Sequence, residues 1–285
     1  MNQAEKAARS LIETIKAKKV ALPDEMKPKQ SAEVVQLKIK FSNDAPPAPN
    51  DLLRSAFFPA IQSKDRQFIN DTLIASIGGV EISLKGEQLN QDDLDVFMAA
   101  QIQAQQQPKT LRFEITERGF LRMAGRKSGQ TNEKALWSSL LRLKAAAFVI
   151  NNKGKKVALS LIDEVYKDEN TKRYVVQLNP RLNALLNSGS TFLALETRRQ
   201  LVGKPLAQWL QAFYATHEKP YSYSVEKLRE LSGSKTNKLF HFRATLRRAL
   251  DDLKATNEIR DWNIDEKDNL CISKAKKIAR QKALF

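Results

Sequence analysis

The chain has 285 residues, 42% of them hydrophobic, which is enough length and apolar content for roughly two packed domains and excludes a disordered tail. Its 48 Lys and Arg against 32 Asp and Glu leave a formal charge of +16, which points to a polyanionic partner, either nucleic acid or an anionic membrane surface. No apolar run nears the ~18 residues that a membrane span needs, and charges stand where a signal peptide would be apolar, so a cytoplasmic protein without a membrane partner is expected.

Residues 1–50 read as a flexible arm. KAARSLIETIKAKK (6–19) has weak helical amphipathicity, and VVQLKIKF (34–41) is apolar enough for a strand or a short docking peptide. Pro46, Pro47 and Pro49 then make a stiff extended linker, placing a domain boundary near residue 50.

A first folded domain is expected over 51–190. LLRSAFF (52–58) is a short helix or turn, and the alternating runs 73–77 and 80–84 flank Gly78-Gly79 as a hairpin. A helix follows from Asn90 or Gln91 and ends before Pro108; Asp92, Asp93 and Asp95 suit the positive end of its dipole, and no histidine or further acidic cluster accompanies them as metal ligands. After a strand at 110–115 come a short helix over 116–125, a polar turn, and a long helix over 131–147. In that helix Leu136, Leu140, Leu143 and Ala147 face a core, while Lys134, Ser138 and Arg142 form a polar stripe. Trp137 sits on the shoulder, where a domain or dimer contact suits it better than a base contact. Strands at 148–150, 155–166 and 173–178, with a polar tip at 167–172, complete a wing-like hairpin, and Asn179-Pro180 opens a helix through Leu186.

The second domain, 191–285, runs in the same order. GKPLAQWLQAFYAT (203–216) is a packed helix, and YSVEKLRELSG (223–233) a short one ended by glycine. The long helix predicted over 234–253 puts Leu239, Phe242, Leu246, Leu250 and Leu253 on a core face, with His241, Ala244 and Arg248 opposite and Arg243 and Arg247 flanking. Ser234, Thr236 and Asn237 supply oxygens for its N-terminal cap, where a phosphate also fits. Two alternating runs within 258–273 flank a DEKDN turn, and a basic tail follows.

Helix, turn, long basic helix and hairpin, present twice, define the expected fold class: α+β, two tandem winged-helix domains preceded by a flexible N-terminal arm. The expected DNA-binding residues are Arg126, Lys127, Ser128, Thr131, Lys134, Ser138 and Arg142 in the first domain. In the second they are Ser234, Lys235, Thr236, Lys238, Arg243, Arg247 and Arg248. Two such units on one chain can span successive turns of one DNA site.

Catalysis is not expected. GRKSG (125–129) lacks the glycine spacing of a Walker loop, and His217 and His241 are too distant in sequence to support a tyrosine nucleophile beside a metal. No Ser or Cys has an evident base partner, and lone Cys271 excludes an intramolecular disulfide or a multi-cysteine zinc site. No cofactor and no metal is anticipated.

Several separated stretches carry a family resemblance. They are RSAFF (54–58), GEQL (86–89) with QDDL (91–94), GKPLAQWL (203–210), YATH (214–217) with Pro220-Tyr221, and LRELSG (228–233). In this order, over about 51–273, the chain resembles the TrfA family of plasmid replication initiators. The resemblance implies a bacterial, plasmid-associated protein that binds double-stranded origin DNA at direct repeats called iterons, promotes opening of an adjacent AT-rich segment, and controls copy number. It also implies recruitment of the host's sliding clamp, replicative helicase and initiator, and an exchange between inactive homodimers and active monomers. For the clamp, Gln36, Leu37, Ile39 and Phe41 occupy the family's place for a glutamine-led docking peptide, with one residue inserted and Ile for Leu. Gln281, Leu284 and Phe285 are a rival with better spacing in an unfamiliar place. A winged-helix transcriptional or partition repressor would carry the same domains, and an architectural protein would bind without sequence preference.

Overall fold

Proline fixes φ and removes an amide donor, so Pro46, Pro47 and Pro49 force their segment to be extended; Pro47–Pro49 (β1) is a strand, and Asn50–Leu53 (α1) adds one helical turn. In this computed structural model, residues 37–107, 111–152 and 154–275 are described. Strands Phe68–Ile74 (β2) and Val80–Glu87 (β3) are joined through Gly78 and Gly79, whose φ of +80° and +74° would strain any side chain. Gln91–Gln106 (α2) starts at a reciprocal cap: the Asn90 side chain accepts from the amides of Asp92 and Asp93, while Asp93 accepts from the Asn90 amide at 2.9 Å. Then come Arg112–Thr116 (β4), Glu117–Met123 (α3) and Gln130–Ala145 (α4). Two hairpins follow, Ala147–Asn152 (β5) with Lys155–Leu159 (β6), and Ile162–Asp168 (β7) with Arg173–Leu178 (β8). Leu182–Asn187 (α5), Ser190–Phe192 (β9) and Leu195–Gln200 (α6) lead into the second half. It contains Pro205–Ala215 (α7), Tyr223–Ser224 (β10), Val225–Leu231 (α8), Leu239–Ala255 (α9), Ile259–Ile264 (β11) and Asn269–Lys274 (β12).

The two halves repeat one topology. In each, a strand leads directly into a short helix, a long helix follows, and a hairpin returns so that its last strand pairs with the first, giving the antiparallel orders β4-β8-β7 and β10-β12-β11. The local chemistry repeats as well. The last residue of each leading strand caps its helix: Thr116 Oγ1 accepts from the Gly119 amide at 3.2 Å, and Ser224 Oγ from the Lys227 amide at 3.1 Å. Each half has its own apolar core. Leu136, Leu140 and Leu143 of α4 are buried with Phe113, Phe120 and Tyr174, and Phe242, Leu246, Leu250 and Leu253 of α9 with Trp209, Phe213 and Leu228. Each such side chain contributes about 1.5–3 kcal/mol by leaving water.

Several sequence expectations change. The stretch read as a linker is extended but lies against the body, because β1 pairs with β9 and Ala45 and Ala48 are buried. The first long helix ends two residues early and β5 begins at Ala147; β5 and β6 do not continue the wing but join β2 and β3 in a separate sheet, β2-β3-β5-β6. The second long helix starts at Leu239 with Lys238 as its cap residue, and no side chain caps it. Ser234, Thr236 and Asn237 instead build the turn before it: Ser234 Oγ bonds Thr236 Oγ1 at 3.2 Å, and Arg229 donates to the Asn237 carbonyl at 2.9 Å. Gly233 is required here, since its φ is +61° and a Cβ would lie 2.6 Å from the Pro59 side chain. Trp137 packs within its own half, 6.1 Å from the Tyr174 ring. The arm helix and the basic tail beyond residue 275 lie outside the described residues.

Candidate nucleic-acid interface

Helical periodicity splits α9 into two faces. Its buried stripe seats the helix, leaving Phe240, His241, Thr245, Arg247 and Arg248 exposed. Among the described residues the side chains of Lys238, Arg247 and Arg248 make no hydrogen bond or ion pair, so their charges face solvent uncompensated. The neighbouring cations are committed. Arg243 holds Asp268 at the hairpin tip through two bonds of 2.8 and 2.7 Å, which fixes the hairpin against the helix. Lys235 donates to the Asp65 carbonyl, and the Ala60 amide bonds the Ser232 carbonyl at 2.7 Å, so residues 60–65 strap the turn between α8 and α9.

The first half is arranged alike. Thr131, Lys134 and Ser138 lie exposed on α4, and Lys127 and Ser128 in the turn before it; none of these side chains has a partner among the described residues. Arg126 and Arg142 differ. Arg126 pairs with Asp92 at 3.0 Å, and Arg142 reaches the fully buried Asp93 at 2.9 Å, alongside Arg66 at 3.2 Å. Both guanidiniums are engaged in holding the fold.

These pairs reveal what the acidic start of α2 does. Asp92 holds Arg126, Asp93 holds Arg66 and Arg142, and Asp95 holds Arg198 of α6, all from other segments. Arg198 is 1% exposed and also donates to the Gln91 side chain at 3.1 Å and to Gln211 at 3.4 Å. Burial raises the Asp95 carboxyl above its ordinary pKa, with Arg198 pulling it back. Sequence periodicity missed this set because one partner of each pair lies on a distant segment, and Arg198 falls in a helix that was not expected. His217 is buried beneath Arg54, which donates to Thr216 Oγ1 at 2.9 Å; burial lowers the histidine's pKa. Cys271 lies 3.3 Å from Ser222 Oγ. Among the described residues no three His, Cys, Asp or Glu side chains converge as metal ligands, and no helix is long and apolar enough to cross a membrane.

Of the expected docking peptide, Gln36 lies outside the described residues, as do Gln281, Leu284 and Phe285 of the rival. Leu37 and Phe41 pack against the first core. The backbone is pinned there too: the Lys38 amide donates to Asn183 at 3.0 Å, and Gln105 bonds both the Phe41 amide and its carbonyl, at 3.2 and 2.9 Å.

A chain that twice presents a long helix with an outward basic face, backed by a hairpin, shares its fold with two solved structures. The selenomethionine form of domains 2 and 3 of RctB superposes with a TM-score of 0.52 at 13% identity, covering 79% of this chain and 97% of that one. The Pi initiator protein in complex with iteron DNA gives 0.52 at 13% identity, covering 81% and 96%. The family described as TrfA protein matches residues 4–273, and the chain belongs to that family. No curated protein matches the sequence.

Proposed function

We propose that this protein is a sequence-specific plasmid replication initiator that binds double-stranded origin DNA at direct repeats through two tandem winged-helix domains, 51–190 and 191–285, with 1–50 as an N-terminal arm. The observation that carries the reading is the repeated strand, short helix, long helix and hairpin, each long helix with an exposed basic face. Helix α9 and helix α4 enter successive major grooves, with β11-β12 and β7-β8 as wings beside the backbone. Arg247, Arg248 and Lys238, with Lys127, Ser128, Thr131, Lys134 and Ser138, make the contacts; cations to phosphates supply affinity and groove-facing side chains supply selectivity. Arg126, Arg142 and Arg243 act one step back, holding the helices and wing in place. The Pi initiator, whose fold this chain shares, is described in complex with iteron DNA, in keeping with this assignment.

Binding then promotes origin opening and brings in host replication proteins in the bacterial cytoplasm, with inactive dimers exchanging with active monomers. Docking of 36–41 on a sliding clamp requires Leu37 and Phe41 to leave the surface they cover.

A nuclease footprint of the purified protein on DNA flanking its own gene tests this. Protection of several helically phased direct repeats is expected. Protection of one inverted repeat over a promoter would replace the initiator reading with a repressor, and diffuse protection would refute sequence-specific binding altogether.

A further inference from the structure

Leucines and phenylalanines on α9 are buried wherever the core can reach them, and Phe240 is not. It is 71% exposed, and among the described residues of α8, α9 and the turn between them it is the one large apolar side chain left so open. Its neighbours Leu239 and Phe242 turn inward against the second core, so the register of the helix, and no packing need, points Phe240 out. Its ring meets the His241 ring edge-on, centroids 5.5 Å apart. Along the same row stand Ala244, one turn further on, and the unpaired Arg247 at the next turn, about 10 Å from Phe240. The small alanine leaves the helix surface low, so this row combines an apolar end, close backbone approach and a cation.

The major groove has one apolar feature, the C5 methyl group of thymine, and the N-terminal part of a recognition helix is what meets base edges. We infer that Phe240 is a specificity-determining residue that packs on a thymine methyl group, selecting an A·T pair about three base steps from the position Arg247 contacts. The inference rests on the DNA-binding reading above and adds to it a base identity and a residue to read it.

The test uses the full chain and a duplex taken from its own footprint, with each thymine replaced in turn by deoxyuridine, which keeps the hydrogen bonds and lacks the methyl. Affinity is followed by fluorescence anisotropy. Wild type should lose about fourfold at one or two thymines, the worth of one buried methyl group. F240A, whose fold is checked by its unchanged melting curve, should bind the thymine duplex about fivefold to tenfold more weakly and be indifferent to uracil at those positions. F240L should retain part of the uracil response. If F240A keeps both wild-type affinity and the wild-type uracil response, or if no single uracil matters to wild type, Phe240 does not read thymine, while repeat protection would leave the initiator reading standing. If wild type selects no duplex at all, both fall.

Discussion

Replacing Arg198 by methionine should destabilise the folded protein by about 3–5 kcal/mol, because it strands a buried carboxylate instead of removing an ion pair. Arg198 is 1% exposed and its guanidinium bonds Asp95 and Gln91 of α2 together with Gln211 and the Gln208 carbonyl of α7. Without it, Asp95 keeps only the Gln208 amide at 3.2 Å as a side-chain partner. Burial already raises the Asp95 carboxyl, and Arg198 is the largest influence opposing that rise. A carboxyl whose folded pKa lies above its unfolded value binds more protons when folded, so stability falls as pH rises between the two values. R198M widens that window. Its deficit should therefore be larger near pH 8 than near pH 5, and D95N/R198M, which removes the charge, should recover most of the loss and the pH dependence with it. Urea unfolding by circular dichroism at both pH values measures this, with a fall in melting temperature of roughly 10 °C as the companion signal. Because α2 belongs to the first core and α7 chiefly to the second, the R198M transition should also broaden or divide. An R198M protein within about 1 kcal/mol of wild type at both pH values, or a double variant no better than the single, would refute the argument.

Other substitutions separate fold from binding. R247A and R248A, at exposed and unpaired side chains, should leave the melting curve unchanged and weaken DNA binding, each lost phosphate contact lowering the slope of log K against log salt by about 0.9; a folded double variant with full affinity would remove α9 from the interface. L246A empties a position that is 0% exposed in the second core and should cost about 2–5 kcal/mol in urea unfolding. His217 has a folded pKa below its ordinary value, so the unfolded chain takes up its proton first. Stability should be full above the ordinary histidine range and decline as pH falls from there through the folded pKa, in surroundings set by Arg54, Lys274 and Tyr223; H217Q should flatten that segment of the stability curve, and an unchanged curve would exclude the histidine as its source.

What could be read from the sequence was local and periodic. The 3–4 spacing of Phe242, Leu246, Leu250 and Leu253 identifies the core face of α9 and so its exposed face, and Gly78-Gly79 identifies a hairpin, because each feature depends on residues a turn or less apart. Family membership was legible for a similar reason, as short motifs in a fixed order. The boundaries of α9 were not: oxygens at Ser234 and Thr236 look like caps to a local reading, yet the strap at 60–65 holds that turn and delays the helix to Leu239. Likewise β5 reads as part of a wing until its pairing with β3 places it in another sheet, since strand identity is local and partner choice is not. The interface divides along the same line. That Arg142, Arg243 and Arg247 are cations beside a core stripe, and Arg126 one in a polar turn, follows from the local pattern alone. Only the tertiary structure decided that Arg126, Arg142 and Arg243 are spent on Asp92, Asp93 and Asp268 while Arg247 stays free, because an ion pair depends on which distant segment the fold brings within hydrogen-bond reach, and no periodicity in the chain encodes that.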